Sequence, residues 1–152
     1  HAVMALLDAG IAKAAAADDD KAIALLQRAI PMTKGVESRD YELLQRLVSK
    51  EGEGRMALAA LLWNKGERSQ AEESLGTACL RLDQLQEADR LRANSRIEEP
   101  KAPKLLFSID DMPTKPLVDC SDFKKASFLS SRLGWPETLQ KKMVKLEKLQ
   151  TS

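Results

Sequence analysis

The side chains that could support catalysis or metal binding are few and stand far apart along the chain. Cys79 and Cys120 are separated by 41 residues and form no Cys-X-X-Cys motif, so by themselves they predict neither a zinc site nor a dithiol redox motif. A single disulfide between these two cysteines remains possible. Because the only histidine is His1, interior Ser/His, Cys/His and histidine–metal sites are excluded unless another chain contributes. The sequence predicts no enzyme activity, no metal and no cofactor.

Pairs of acidic residues and one pair of glycines have non-catalytic explanations. The acidic run 18–20 and the pair Glu72 and Glu73 come at the starts of predicted helices, where carboxylates cap backbone N–H groups. Gly52 and Gly54 lack the third glycine and the preceding strand of a phosphate-binding loop. We therefore expect helix capping at these acids and no nucleotide site.

Charge and hydropathy exclude two further classes. The 152 residues include 24 Lys and Arg against 23 Asp and Glu, so the net charge of +1 lacks the strong basic field of a dedicated nucleic-acid-binding protein. The longest apolar run, residues 56–63, is far shorter than the roughly 18 residues that a membrane span needs. Residues 120–152 carry an excess of lysine and arginine, so this end of the chain is the positive one.

The prolines divide the chain into three parts. Leu and Ala are abundant while β-branched and aromatic residues are sparse, which favours helices almost throughout. Prolines then cluster between residues 100 and 116, where they mark a boundary. We predict an all-α fold with a helical body at 1–97, an extended proline-containing connector at 98–120 and a C-terminal helical tail at 121–152.

Breakers, caps and apolar spacing place the individual helices. In the body we expect helices over 4–17, 21–30, 38–49, 55–64 and 69–82, with a further short helix near 85–92. Gly52 and Gly54 weaken the stretch between the third and fourth of these. In the tail we expect a helix over 122–133 that stops at Gly134, and a second helix that Pro136 opens.

One spacing of small and large residues occurs twice, offset by 49 positions. A small residue is followed after 12 positions by Ala, after four more by Leu and after three more by Ala; the two sets are Gly10, Ala22, Leu26, Ala29 and Ala59, Ala71, Leu75, Ala78. Small residues on both helices let the backbones approach, and the leucine fills the remaining gap. The pattern predicts two antiparallel helix hairpins.

This spacing resembles that of the tetratricopeptide repeat, over roughly residues 3–33 and 52–82. Because that family repeats about every 34 residues, the extra 15 predict either an inserted helix at 38–49 or a long extension of the helix that holds Trp63. The resemblance implies a concave groove, lined by the first helix of each hairpin, that binds a partner peptide or helix. The groove-facing candidates are Leu7, Ile11 and Ala14 in the first hairpin, and Met56, Ala60, Trp63 and Asn64 in the second.

These candidates are mostly apolar, whereas repeats that clamp the C-terminal carboxylate of chaperones use Lys, Arg and Asn on this face. We therefore reject a carboxylate clamp. Two alternatives stay open: Leu7 and Ile11 could pack against an upstream repeat, and Trp63 could be an ordinary core residue.

The last predicted helix is basic and amphipathic. Its apolar residues are Leu139, Met143, Leu146 and Leu149, and its lysines are Lys141, Lys142, Lys145 and Lys148. This pattern fits docking on an acidic protein partner, docking on an anionic membrane surface, or a cap that covers the exposed face of the last repeat.

The turn at Trp135 and Pro136 followed by a lysine-rich helix is also similar to the tails of tetratricopeptide-like proteins of plant and algal plastids. That likeness implies a chloroplast protein that helps to assemble or stabilise thylakoid complexes, with a cytoplasmic location as the alternative. The sequence thus predicts a non-catalytic scaffold that binds one or more proteins of a larger complex and does not bind nucleic acid. The alternative function is a peripheral membrane-surface protein that docks through its C-terminal helix.

Overall fold

A computed structural model describes residues 2–95, 106–109 and 120–146 of the chain. In these ranges the helices are α1 (Ala2–Ala15), α2 (Asp19–Ala29), α3 (Tyr41–Asn64), α4 (Arg68–Ser95) and α5 (Glu137–Val144). Helices α1 and α2 form one antiparallel hairpin and α3 and α4 form another, and α3 also packs against both helices of the first. The predicted all-α fold built from helix hairpins is confirmed.

The first hairpin turns at Ala17, whose φ of 61° is left-handed, and α2 begins directly after Asp18. Asp18 occupies the N-cap position, but its side chain accepts no hydrogen bond from the first turn, so the predicted side-chain cap is wrong. Asp19 and Asp20 lie in that turn, where negative charge offsets the positive end of the helix dipole. Both carboxylates also pair with lysines elsewhere in the chain, namely Lys142 and Lys65.

Leu26 lies between two glycines at the centre of the helix packing. A Cβ added at Gly10 would come within 2.8 Å of Leu26 Cγ, and one added at Gly54 would come within 3.3 Å of Leu26 Cδ2. Ala22 and Ala71 are completely buried at the corresponding positions of α2 and α4. Small residues therefore permit the close helix contacts that the repeated spacing predicts.

Helix α3 is longer than either of the two helices predicted for this part of the chain. It begins after Asp40, whose carboxylate accepts a hydrogen bond from the Leu43 backbone N–H at 3.1 Å, and it continues through Gly52 and Gly54 to Asn64. The expected break at the glycines is wrong, because close packing at Gly54 offsets the low helix propensity. Of the two explanations for the extra 15 residues, the long extension is confirmed. Helix α4 likewise continues to Ser95 instead of ending near residue 82.

A short antiparallel pair of strands, β1 (Glu37–Ser38) and β2 (Phe107–Ser108), was not predicted. The Phe107 ring meets the Tyr41 ring edge to face with centroids 5.2 Å apart, and Ile109 beside it is buried. This part of the connector packs along the body, as its apolar residues predict. The rest of the connector, including the prolines between 100 and 116, lies outside the described residues.

The tail begins with two short helical turns where one helix was predicted. A 3₁₀ turn spans Cys120–Lys124 and a π-helical turn spans Phe128–Arg132. Phe123 and Leu129 are both buried, and residues six apart would point to different sides of a continuous α-helix, so the break lets both reach the core. Gly134, with φ of 68°, then reverses the chain, and α5 starts after Pro136.

Candidate functional site

The predicted groove residues lie mostly inside the protein. Leu7, Ala14, Met56 and Ala60 are at most 1% exposed. Ile11 is half-buried against the same core, and Asn64 at the end of α3 is exposed. The prediction that this set lines an open groove is therefore corrected: the surface between α1 and α3 exists, but at these residues the chain covers it.

Helix α5 is the element that lies against α1 and α3. Leu139, Met143 and Leu146 have no exposed surface at all. Asn64 donates from Nδ2 to the backbone carbonyl of Lys142 at 2.9 Å, and Lys142 Nζ reaches both carboxylate oxygens of Asp19 at 2.7 and 2.8 Å. The surface between the first helices of the two hairpins thus holds an amphipathic helix, and that helix belongs to the same chain.

Trp63 is 7% exposed, as an ordinary core residue would be. The Arg68 guanidinium lies 4.6 Å from the centre of its ring, within the range of a cation–π contact. Burial by the core and coverage by Arg68 together leave little of the indole for a partner.

The lysines of the tail do not form one uniform basic face. Lys141 is exposed and pairs with Glu137 at 3.2 Å, Lys142 is engaged with Asp19, and Lys145 is exposed. Lys148 lies outside the described residues. The apolar face of α5 is buried, and the helix covers part of the surface of α1 and α3.

A line of polar contacts connects the tail to the middle of α3. The Trp135 indole donates from Nε1 to Glu53 Oε1 at 2.8 Å, and both side chains are buried. The other carboxylate oxygen of Glu53 lies 3.3 Å from Lys50 Nζ, which is also 3.5 Å from Asp8 Oδ1 on α1. A single lysine therefore neutralises acids from two helices directly beneath the tail.

The pKa of Lys50 reflects this position. Burial by itself lowers the pKa of the ammonium group, but attraction to Glu53 and Asp8, together with hydrogen bonds to both, outweighs burial and raises the pKa above its ordinary value of 10.5. Lys50 is therefore a stable cation at neutral pH, which suits it to hold acids in place and not to act as a general base.

A second buried acid ties α3 to α4. Glu51 is 3% exposed and accepts a hydrogen bond from Arg55 at 3.0 Å, with Arg81 of α4 at 3.7 Å from the same oxygen. Arg81 also donates to the backbone carbonyl of Ile109 at 2.7 Å, so the connector is fixed to α4. The sequence reasoning did not identify this network; the spacing of Glu51 and Arg55, typical of a helical ion pair, was its only local signal.

An open cleft of about 640 Å³ occupies the part of the α1–α3 face that α5 leaves uncovered. Its walls come from the start of α1, the first half of α3, one residue of α4 and the two turns of the tail. The lining residues are Met4, Asp8, Glu42, Gln45, Arg46, Ser49, Lys50, Gly52, Glu53, Leu82, Phe123, Phe128, Arg132 and Leu133. The cleft therefore lies along the first half of α3.

The rim of this cleft combines charge with apolar surface. Arg46 on α3 and Arg132 on the tail are both exposed, and among the described residues neither guanidinium takes part in an ion pair. The half-buried side chains of Met4, Phe128 and Leu133 also line the cleft. A cleft of this size with both charged and apolar lining suits a ligand of a few residues' volume.

Cys79 and Cys120 form a disulfide, with their Cα atoms 5.2 Å apart. Cys79 is on α4 and Cys120 is the first residue of the tail's 3₁₀ turn. The pairing that the sequence left open is thus made, and neither cysteine is a nucleophile in this state. In the chain-entropy description a loop of this length stabilises the fold by about 4 kcal/mol.

Within 2–95, 106–109 and 120–146, no three His, Cys, Asp or Glu side chains come together in a way that could hold a metal ion. None of the helices in those ranges has the length and apolarity needed to cross a bilayer. Comparisons with known protein families, curated proteins and solved structures gave no match.

Proposed function

We propose that this chain is a non-catalytic protein-interaction module that binds a short segment of a partner protein in the cleft between α1, the first half of α3 and the tail. The observation that carries the proposal is the packing of α5 against α1 and α3. The α1–α3 face already binds a polypeptide helix through buried apolar side chains and a hydrogen bond from Asn64 to a backbone carbonyl, and Asp19 of the neighbouring α2 adds an ion pair. The same face then continues into an open cleft of about 640 Å³.

The chemistry of the rim indicates the kind of segment that fits. Arg46 of α3 and Arg132 of the tail offer two exposed guanidinium groups, and each is suited to hold a carboxylate. Phe128, Leu133 and Met4 offer apolar surface in the same cleft. We expect a partner segment with an acidic residue next to one or two apolar residues.

The compartment is a further part of the proposal. Disulfides persist mainly where thiols are oxidised, so the Cys79–Cys120 pair favours an organelle lumen or another oxidising space over the cytosol. Together with the plastid-like turn at Trp135 and Pro136, this supports a role in assembling or stabilising a thylakoid complex in the chloroplast. The alternative of membrane docking through α5 would require that helix to leave α1 and α3, because its apolar residues are buried.

The proposal can be tested without a known partner. A display library of random 12-residue peptides is selected on the purified protein, and the affinity of each enriched peptide is measured by fluorescence polarisation. We expect enriched peptides to combine an acid with apolar residues and to lose about tenfold or more in affinity on the Arg46→Ala/Arg132→Ala double variant.

The matched control is Lys125→Ala, which removes an exposed charge of the tail that does not line the cleft. It should leave the affinity unchanged. Enriched peptides that bind the double variant as tightly as the unmodified protein would overturn the assignment of the cleft.

A further inference from the structure

The tail is attached to the body by contacts of two kinds. Non-covalent contacts act near its end, where Trp135 meets Glu53 and Lys142 meets Asp19. A covalent contact acts at its start, where Cys120 is joined to Cys79 of α4. The cleft wall formed by Phe123, Phe128, Arg132 and Leu133 lies between these two attachments.

The covalent attachment holds the part of the tail with the weakest local structure. The 3₁₀ turn Cys120–Lys124 and the π-helical turn Phe128–Arg132 are short elements with less favourable hydrogen-bond geometry than an α-helix. They are kept in place by packing of the Phe123 ring against those of Phe128 and Trp135, at centroid distances of 5.2 and 6.4 Å, and by the disulfide. Both cysteines are half-buried, so solvent reaches the site.

From this arrangement we infer that the Cys79–Cys120 disulfide is a redox-sensitive tether: its reduction loosens residues 120–133 and thereby opens the cleft wall, while α5 stays docked. The reductant is a dithiol, of either the small-molecule or the protein Cys-X-X-Cys class. That reduction loosens the tail does not depend on what the cleft binds. The further statement that reduction changes ligand binding rests on the proposed function.

The reaction is an ordinary thiol–disulfide exchange. A thiolate of the reductant attacks one sulfur of the Cys79–Cys120 bond, which breaks as a mixed disulfide forms and the other cysteine leaves as a thiolate that takes up a proton. The second thiol of the reductant, as its thiolate, then attacks the mixed disulfide and releases the remaining cysteine, which is protonated in turn. Two electrons pass to the protein, which gains two thiols, and the reductant ends as a disulfide.

The non-covalent contacts explain why the change stays local. The buried side chains of Leu139, Met143 and Leu146 and the ion pair between Lys142 and Asp19 do not involve the sulfurs. Once the bond is broken, residues 120–133 lose their covalent link to α4, whereas α5 loses no direct contact. Their opening therefore becomes more frequent, whereas the opening of α5 changes much less.

Amide hydrogen exchange of the unmodified protein, oxidised and after reduction with dithiothreitol, tests the inference. We expect exchange in residues 120–133 to become on the order of 100-fold faster on reduction, a larger increase than at the amides of α5. The Cys79→Ser/Cys120→Ser double variant should exchange at the reduced rate under both conditions. Equal exchange rates of residues 120–133 in the oxidised and reduced protein would overturn the tether. So would the finding that a protein dithiol of the Cys-X-X-Cys class cannot reduce the Cys79–Cys120 disulfide in the folded chain.

Affinity for a selected cleft peptide, measured in both redox states, separates the two proposals. A change in affinity on reduction supports the redox control of the cleft. If exchange of 120–133 rises but no peptide depends on Arg46 and Arg132, the tether stands and the cleft assignment fails. If peptides depend on these arginines but bind both redox states equally, the cleft assignment stands and its redox control is overturned.

Discussion

Trp135 donates its indole N–H to Glu53, a residue 82 positions earlier in the chain, at 2.8 Å. Both side chains are buried, so the contact exchanges water for a single charge-assisted hydrogen bond in the interior. It fixes the sharp turn before α5 onto the middle of α3. This pair acts together with the ion pair between Lys142 and Asp19, the disulfide and the buried apolar side chains of the tail in holding the tail on the body.

Replacing Trp135 with Phe keeps most of the apolar ring and removes the donor. Glu53 then keeps Lys50 as a partner but loses the hydrogen bond to Oε1, and we expect a loss of about 1–3 kcal/mol in the free energy of unfolding. Urea unfolding of Trp135→Phe, Glu53→Leu and the double variant measures the coupling between the two positions. Strictly additive losses would show that the hydrogen bond contributes nothing.

The packing of Leu26 predicts opposite effects for the same substitution in two helices. In Gly10→Ala the new Cβ would lie 2.8 Å from Leu26 Cγ, and this overpacking should cost about 1–3 kcal/mol. Because alanine has a better helix propensity by about 1 kcal/mol, the net destabilisation should be smaller by that amount. Gly76→Ala on exposed α4 surface meets no atom within 4 Å and should stabilise the protein by about 0.5–1 kcal/mol. Thermal unfolding of both variants gives the comparison, and a stabilised Gly10→Ala variant would contradict the close contact.

Two lysines of the same helix allow a test of how α5 is held. Lys142→Ala removes the half-buried pair with Asp19, and we expect the protein to lose about 1 kcal/mol of stability. Lys145→Ala, which removes an exposed charge three residues later, should change stability by less than about 0.5 kcal/mol. Chemical denaturation of the two variants in parallel checks this. Equal effects would mean that the Asp19 pair does not hold the helix.

The raised pKa of Lys50 predicts a loss of stability at alkaline pH. A lysine whose pKa is higher in the folded than in the unfolded protein stabilises the folded state. This contribution is complete at pH values below the unfolded pKa, near 10.5. It is lost as the pH rises through the pKa of the folded state, which is higher. The stability difference between the unmodified protein and Lys50→Met should therefore stay constant up to about pH 9.5 and shrink above about pH 10.5. Urea titrations from about pH 8 to about pH 11.5 measure it; a constant difference across this range would contradict the prediction.

The hairpins could be predicted from the sequence because their determinants are local. The spacing of Gly10, Ala22 and Leu26 states which residues meet across one turn, and the structure has those contacts. The resemblance to the tetratricopeptide repeat implied a surface between the first helices of the hairpins, and α5 lies against both of those helices. The resemblance could not indicate that this surface is occupied, because the occupant is more than 100 residues away in the chain.

The cleft and its neighbouring polar contacts could not be predicted for a related reason. Gly52 and Gly54 signal a break when only the local helix propensity is considered, but packing against Leu7 and Leu26 keeps α3 continuous. Glu53 and Trp135 carry no pattern that would join them, since a hydrogen bond over 82 residues leaves no periodic trace. The cleft is lined by Lys50, Gly52 and Glu53 of the stretch that contains these glycines and by the turns of α3 that precede it.

The pair between Lys142 and Asp19 spans 123 positions, which has a consequence for biosynthesis. A ribosome releases α1 and α2 long before the residues that cover them exist. The nascent polypeptide must wait with part of its apolar surface exposed, a condition that invites aggregation unless another factor shields it. Final closure of the molecule can occur only after Lys142 has been translated.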